Sequence, residues 1–392
     1  MKTKMIYIIF LLQAFIFTLS NVITPQFLMG LHLEKYYFGY FSAIWSFGML
    51  ISSPIWGKLA TQYGKKKFVI LGIIIYGTSQ LGFYLFDNII LLAILRLTSG
   101  IGVGAIVTLL LSYLILHTAP EQRANALSKR MAFLTIGVTI SYTLSGYIGL
   151  VLTKELFLIQ SLLSIIFALM VMIFIDKDKV QACIYPKQFN MFNSLKFLKS
   201  MDKSLIIFLF SITLTTMTFT NLEKFIDLYI IDKGYEVSVV GNVQMVFGIV
   251  LIITNLIFVP KLKKYLGNIY VLQTITVMMS IIIMITFMDN EILVSLYSIF
   301  LGYIVLKGIY VTSEQLYLSK AIEPEKMNIF VGIRQSFTCL GMILGPIIGG
   351  HIYAYNPMNL FQFNILCLLI SSVMISYIKL SPRVQTEIQY SK

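Results

Sequence analysis

Charged side chains are predicted to interrupt long apolar segments of this chain at six positions. They are Arg96, Glu223, Lys224, Asp227, Lys307 and Glu314. Glu223 and Asp227 are four positions apart, a spacing that places both side chains on one face of a helix. Burial favours the neutral form of a carboxyl group, whereas a nearby lysine such as Lys224 favours its anion. Glu223 and Asp227, balanced between these effects, are the predicted proton carriers, and Arg96 is a permanent charge that can act on them.

The composition of the chain explains why such charges are conspicuous. Of its 392 residues, 58% are hydrophobic and 12% are charged, and the mean hydropathy is +0.85. A membrane span needs about 20 apolar residues, and twelve such stretches are predicted. They begin near Met5, Tyr37, Phe68, Ile89, Lys129, Leu156, Leu205, Val237, Ile269, Glu291, Met327 and Asn359. Backbone groups in hydrocarbon must pair within their own segment, so the sequence predicts an all-α integral membrane protein.

Positive charge is distributed unevenly over the connections between these stretches. The connections at one membrane face carry most of the lysines and arginines, whereas those at the other face hold only Lys35, Lys154 and Lys233. Positive charge stays in the cytoplasm, so both termini of this multi-pass protein are predicted to be cytoplasmic. The same asymmetry accounts for most of the net charge of +13, and a lipid bilayer rather than nucleic acid is the predicted partner.

The longest polar interval, residues 176–204, divides the chain into predicted halves at 1–175 and 205–392, with a short tail at the end. Several residues recur in the second half at an offset of 203 or 204 positions. The pairs are Lys58-Leu59 with Lys261-Leu262, Gly64 with Gly267, Pro120-Glu121 with Pro324-Glu325, Arg130 with Arg334, and Gly137 with Gly341. An ordered set at nearly one offset indicates two six-helix bundles related by an axis along the membrane normal.

The segment G-K-L-A-T-Q-Y-G-K-K-K (57–67) is predicted to be a short cytoplasmic loop. It resembles the loop between helices 2 and 3 of the major facilitator superfamily, whose usual form is G-x-L-x-D-R-x-G-R-[KR]. The matching residues are Gly57, Leu59, Gly64, Lys65 and Lys66. Thr61 and Gln62 stand where the family has an acidic and a basic residue. The resemblance implies a loop that takes part in conformational change.

Three further resemblances point to drug/proton antiporters of this superfamily. Residues 96–104, R-L-T-S-G-I-G-V-G, are similar to the R-x-x-x-G-x-G motif of helix 4. Residues 341–350 resemble the G-x-x-x-G-P-x-x-G-G motif that exporters carry in helix 5, although here it lies in the eleventh span. Glu223 corresponds in position to a glutamate of helix 7 in multidrug pumps related to quinolone exporters. Those relatives tend to have an acidic residue near Lys307, where this chain has a cation.

In the superfamily, helices 1, 4, 7 and 10 line the central cavity, and all six charged residues fall on three of these. The predicted substrate cavity consists of Gln13, Asn21, Arg96, Lys224, Lys307 and Glu314.

Several of these residues have two interpretations. Arg96 can also bond backbone carbonyls at a helix contact, and Asp227 can be solvated near the membrane surface. Lys307 can pair with Glu223 or meet an anionic group of a substrate. Glu314 can reach the cytoplasmic interface.

Together the resemblances imply a monomeric, twelve-helix transporter in the cell membrane that exports amphipathic drug-like small molecules in exchange for protons. An exporter of an anionic or zwitterionic metabolite, such as a carboxylate siderophore, is the alternative, favoured by Arg96, Lys224 and Lys307. An enzyme is not expected, because the three histidines and three cysteines have no metal-ligand, disulfide or catalytic spacing. Neither a cofactor nor a metal site is predicted.

Overall fold

A computed structural model describes residues 2–118, 123–175, 203–262, 265–288, 291–321 and 327–377. Every regular element in these residues is helical, which confirms the predicted fold class. The linker predicted at 176–204 lies outside the described residues, except for its last two positions. The tail beyond 377 and the repeated dipeptides Pro120-Glu121 and Pro324-Glu325 also lie outside them.

The helices follow one another with short connections. They are α1 (Lys2–Thr18), α2 (Thr24–Gly30), α3 (Tyr36–Tyr63), α4 (Lys65–Leu85), α5 (Ile89–Leu116), α6 (Arg123–Ile148), α7 (Glu155–Phe174), α8 (Lys203–Asp232), α9 (Val237–Ile253), α10 (Val259–Lys261), α11 (Ile269–Met288), α12 (Ile292–Tyr297), α13 (Ile299–Ala321), α14 (Met327–Tyr355) and α15 (Pro357–Ser376). A π-helical turn, Thr254–Phe258, joins α9 to α10.

Eleven segments of the described chain are long and apolar enough to cross a membrane, and Met5–Thr18 is a shorter apolar helix. The first predicted span is interrupted, because the chain turns at residues 19–23 before α2 begins. Pro25 explains the break. Proline has no backbone N–H and its ring clashes with the preceding turn, so it is accommodated at the start of a new helix rather than inside a continuous one.

The chain forms two compact units. Unit 1 comprises Met1–Ile184 and Ile226–Gly248, and unit 2 comprises Tyr185–Phe225 and Ile249–Lys392. The division of the chain into halves at 176–204 stays a prediction, because the segment Ile226–Gly248, from the second predicted half, packs within unit 1.

Glycines let the helices of unit 1 approach one another at the level of the backbone. A Cβ atom at Gly48 in α3 would overlap the Leu97 carbonyl in α5, and one at Gly100 in α5 would overlap the Trp45 carbonyl in α3. The glycines of residues 96–104 therefore serve helix contact. Close approach of this kind replaces the hydrophobic effect, which does not drive helix association inside a lipid bilayer.

The segment Ile226–Gly248 is held within unit 1 by contacts of different kinds. Gly146 and Gly241 face each other so closely that a Cβ on the first would lie 2.9 Å from the Cα of the second. The Tyr147 hydroxyl donates a hydrogen bond to Asn242 Oδ1 at 3.1 Å. Lys35 Nζ pairs with Asp232 Oδ2 at 2.6 Å.

In unit 2 the glycine face of α14 packs against α8, as the spacing of residues 341–350 indicates. Added Cβ atoms at Gly341 and Gly345 would lie 2.7 Å and 3.0 Å from the carbonyl oxygens of Thr213 and Met217. In unit 1, Gly137 contacts the Leu11 carbonyl of α1 in the same manner. The recurrence of this contact supports the repeat that the sequence indicates.

The basic loop predicted at 57–67 is shorter in the structure than in the sequence interpretation. Helix α3 continues to Tyr63 and α4 begins at Lys65, so the chain reverses at Gly64 alone. Gly64 has φ 88° and ψ 145°, and Gly267, its counterpart 203 positions later, also has a positive φ of 79°. Nothing lies within 4 Å of an added Cβ at Gly64, so its requirement for glycine is one of backbone conformation and not of contact.

Gly64→Leu is expected to lower the free energy of unfolding by about 1–3 kcal/mol, because leucine is strained in this backbone region. Gly57→Leu is the matched control, since Gly57 lies in the same motif but inside α3, with no atom within 4 Å of an added Cβ. Thermal unfolding of the detergent-purified variants measures the difference. Equal losses of stability in the two variants would contradict the conformational explanation.

Candidate functional site

The central feature of unit 2 is an ion pair between α8 and α13. Lys307 Nζ lies 3.7 Å from Glu223 Oε2, and the side chains are 24% and 52% exposed, respectively. A charge-assisted hydrogen bond between such groups is typically about 2.7–2.9 Å long. The pair is therefore loose, and both ends of it are accessible. Of the two interpretations of Lys307, the structure supports pairing with Glu223.

Aromatic side chains lie on one side of this pair. Lys307 Nζ lies 5.5 Å from the centre of the Phe219 ring, a distance at which a cation is attracted to the ring face. Phe219 in turn makes edge contacts with Tyr303 and Tyr310. The buried Tyr303 hydroxyl has no hydrogen-bond partner among the described residues, and it lies within electrostatic range of Glu223.

The exposure of Glu223 has a physical consequence because α8 contains a candidate membrane span. An ionised side chain that faced lipid at the bilayer centre would cost about 2.5–3.5 kcal/mol on insertion scales. A carboxylate that is half exposed on such a helix is therefore expected to face water. Water access and a titratable group together are what proton uptake and release require.

Glu314 is engaged differently. Its two carboxylate oxygens accept hydrogen bonds from Arg334 Nε at 2.7 Å and Arg334 Nη2 at 2.9 Å. The Glu314 side chain is 4% exposed. A buried, bidentate pair of this geometry is fixed in place. The structure thus joins α13 to α14 through Glu314 and does not bring Glu314 into the Glu223–Lys307 pair.

Arg334 is the partner that the sequence interpretation missed as a site residue. The sequence repeat could have indicated Arg334, because it pairs Arg334 with Arg130 of the first half. The Arg130 guanidinium lies 4.9 Å from the Phe10 ring centre, and the described residues contain no ion pair to it. Leu110 stands 204 positions before Glu314 and is buried, so the first half lacks the corresponding carboxylate.

Asp227 lies one turn beyond Glu223 on α8 and belongs to unit 1. It is 2% exposed, and its Oδ1 accepts a hydrogen bond from Gln244 Nε2 at 2.6 Å. The interpretation of Asp227 as a solvated residue near the surface is therefore wrong. Asp232, five positions further along α8, pairs with Lys35.

The predicted polar residues of the first half are placed separately in unit 1. Arg96 is buried and its Nε donates to the Phe41 carbonyl at 3.4 Å, which fits the interpretation of a helix contact. Gln13 is buried, and its Oε1 has no hydrogen-bond partner among the described residues. Asn21 lies half-buried in the turn between α1 and α2.

Gln160, which the sequence interpretation did not select, donates to the Tyr76 hydroxyl at 2.6 Å.

The remaining predicted residues are Lys224, Lys65 and Lys66. Lys224 is half-buried next to Glu223, and both Lys224 and Lys307 act electrostatically on that carboxylate. Lys65 and Lys66 begin α4 and are half-buried. Within the part of the chain that the structure describes, no group of three or more histidine, cysteine, aspartate or glutamate side chains could hold a metal ion.

Comparison with known proteins decides the family. The model of the Major Facilitator Superfamily matches residues 6–346 and, in a second match, residues 208–390. The chain belongs to the major facilitator superfamily. It is therefore a multi-pass membrane transporter of that superfamily, and not a member of an enzyme family.

Two named bacterial proteins are similar to this chain in sequence, and a solved structure is similar to it in fold. Multidrug resistance protein 2 of Bacillus subtilis (strain 168) is 24% identical over 373 residues, which cover 91% of this chain and 90% of that protein. Quinolone resistance protein NorA of Staphylococcus aureus is 20% identical over 343 residues and 84% of each chain. The crystal structure of a bacterial homologue of the human lysosomal transporter Spinster, inward-facing and unoccupied, has a TM-score of 0.76 at 13% identity. It covers 97% of this chain and 98% of its own, which shows the shared fold.

Glu314→Gln is expected to cost about 3–5 kcal/mol of stability, because it leaves the Arg334 guanidinium without its carboxylate in a buried position. The double variant Glu314→Leu with Arg334→Met is expected to recover most of that loss. Thermal unfolding in detergent measures both effects.

A matched control is Asp87→Asn, which removes a carboxylate from the ion pair with Lys154. That pair is also 2.7 Å long, but its carboxylate side chain is 58% exposed. Its loss is expected to cost at most about 1 kcal/mol. A loss for Glu314→Gln no larger than that of the control would contradict the structural role of the buried pair.

Proposed function

We propose that this protein is a proton-coupled exporter of amphipathic, drug-like small molecules. The observation that carries the proposal is the accessible Glu223 carboxylate on a candidate membrane span, which is loosely paired with Lys307 beside the Phe219 ring. The names of the similar proteins, which refer to multidrug and quinolone resistance, support the same substrate class. They do not favour the alternative of an anionic or zwitterionic metabolite.

In this proposal, proton binding and release at Glu223 drive the conformational change of the transporter. Ionised Glu223 attracts Lys307, whereas protonated Glu223 leaves the ammonium group without its partner. Protonation thus alters the attraction between α8 and α13, and in this proposal that change biases the rocking of one bundle against the other by which alternating access occurs in this superfamily. An inward proton at about 100 mV supplies roughly 2.3 kcal/mol, enough for about fiftyfold accumulation.

The other predicted residues have supporting roles in this proposal. Asp227 and Arg96 are secondary candidates for proton coupling, because each is a buried, chargeable side chain on a candidate membrane span. Gln13, Asn21, Lys224 and Lys307 would contribute polar contacts to substrate.

We also propose that the protein works as a monomer in the cell membrane, with two halves joined by the segment 176–204. The turn at Gly64 would transmit movement between α3, which contains Gly57, and α4, which begins with Lys65 and Lys66.

Both termini are proposed to lie in the cytoplasm, in accordance with the lysine distribution. Fluorescent reporters fused after Lys67, after Lys203 or at the C-terminus are expected to be active inside the cell. A reporter of external location fused at Lys35 is expected to be active outside. An external signal after Lys203 would contradict an arrangement of six helices on each side of the linker.

The coupling role is tested by Glu223→Gln, which keeps the shape of the side chain but cannot release a proton at working pH. Proteoliposomes that contain the purified wild-type protein are expected to release protons from their lumen when norfloxacin, a quinolone, is added outside, because an exchanger moves substrate and protons in opposite directions. In Glu223→Gln this flux should fall to the level of empty liposomes, and the norfloxacin binding that remains should lose the part of its pH dependence that Glu223 confers.

Glu236→Gln is the control for this experiment, because Glu236 is an exposed carboxylate just before α9. It is expected to retain full proton flux. Persistence of normal flux in Glu223→Gln would assign Glu223 a structural role and would make Asp227 the next residue to test.

A further inference from the structure

We infer that Lys307 determines the charge of the substrates: it acts as an internal cation that admits neutral and zwitterionic amphipaths beside Glu223 and rejects simple monocations. The inference rests on the proposed function and assigns a substrate class to the same site. Its basis is the geometry of the Glu223–Lys307 pair, in which an ammonium group occupies one side of an accessible carboxylate.

The place that a cationic substrate needs is already occupied. Phe219 and Glu223 together offer a ring face and a carboxylate, which are the two groups that usually attract an organic cation. Lys307 lies 3.7 Å from that carboxylate and 5.5 Å from the centre of that ring. A monocation must therefore displace the ammonium group of Lys307 or approach it at short range.

Displacement is unfavourable because the carboxylate that α13 itself carries already has a partner. Glu314, on the same helix, uses both carboxylate oxygens to bind Arg334. Lys224 adds a second positive charge within electrostatic range of Glu223. A monocation would leave Lys307 without a counter-charge on a membrane helix, where an unpaired charge is costly.

A zwitterion avoids this cost. Its cationic group can bind Glu223 while its carboxylate binds Lys307, so each residue exchanges one partner for another. The loose contact and the exposure of both side chains leave room for this exchange. A neutral amphipath leaves the pair intact and contacts the rings of Phe219 and Tyr303.

A merely structural role for Lys307, in which it holds α13 against α8, predicts a different result. Loss of a structural contact weakens binding of all ligands together. Loss of a residue that selects ligands by charge changes the order of their affinities. The ratio of two affinities therefore distinguishes the two roles.

The experiment measures dissociation constants of two probes for the full-length protein in detergent and their transport in proteoliposomes. The probes are norfloxacin, which is a zwitterion near neutral pH, and tetraphenylphosphonium, a permanent lipophilic monocation. The wild type is expected to prefer norfloxacin. Lys307→Met is expected to shift the ratio of the two affinities at least about tenfold towards tetraphenylphosphonium, and Lys307→Arg is expected to keep the wild-type order.

Lys233→Met is the matched control. Lys233 also lies over an aromatic ring, 5.4 Å from the centre of Tyr229, but it is exposed and lies beyond Glu223 on the chain. It is expected to leave the affinity ratio unchanged.

Three binding results would each overturn the inference: wild-type affinity for tetraphenylphosphonium equal to or above that for norfloxacin, no binding of norfloxacin by the wild type, or a Lys307→Met variant that weakens both probes equally. Failure of the proposed function appears separately, as binding with the expected charge preference but without substrate-driven proton flux. Proton-coupled transport of both probes, unaffected by Lys307→Met, would retain the proposed function and overturn the selection of substrates by charge at Lys307.

Discussion

The cost of an ionised group in hydrocarbon is the constraint on which the arrangement of this transporter depends. A charge on a membrane helix persists only where protein or water compensates it. The described charges meet this requirement in different ways. Glu314 and Arg334 form a buried bidentate pair, Asp227 bonds the amide of Gln244, and Arg96 bonds a backbone carbonyl.

The Glu223–Lys307 pair satisfies the constraint least tightly. Its atoms are 3.7 Å apart and its carboxylate side chain is half exposed, whereas the Glu314 carboxylate is nearly inaccessible. A fixed pair stabilises a helix contact but cannot exchange partners. A loose and accessible pair can gain or lose a proton or a ligand without disruption of the fold, which is why we assign the transport chemistry to Glu223 and Lys307.

The repeat separates the features that both halves of the chain share from the charges in which they differ. Both halves retain a glycine contact between helices: Gly137 brings α6 against α1, and Gly341 brings α14 against α8. Their charges have diverged, because Arg334 has Glu314 as its partner whereas Arg130 lies against Phe10. Backbone packing tolerates little change at a glycine. Charge at a neighbouring position can change, provided that each ionised group still finds compensation.

The amino-acid sequence by itself determined the helical membrane class, because apolar length and the pairing of backbone groups leave few alternatives. It also indicated the repeat, the glycine contacts and the position of Glu223, since each depends on local spacing. It did not determine which charges meet.

Only the tertiary structure assigned Lys307 to Glu223 and Arg334 to Glu314, buried Asp227, and reduced the loop at 57–67 to the single turn at Gly64. The physical reason is that ion pairs between helices depend on the relative depth and rotation of two helices. A single sequence contains no direct measure of either.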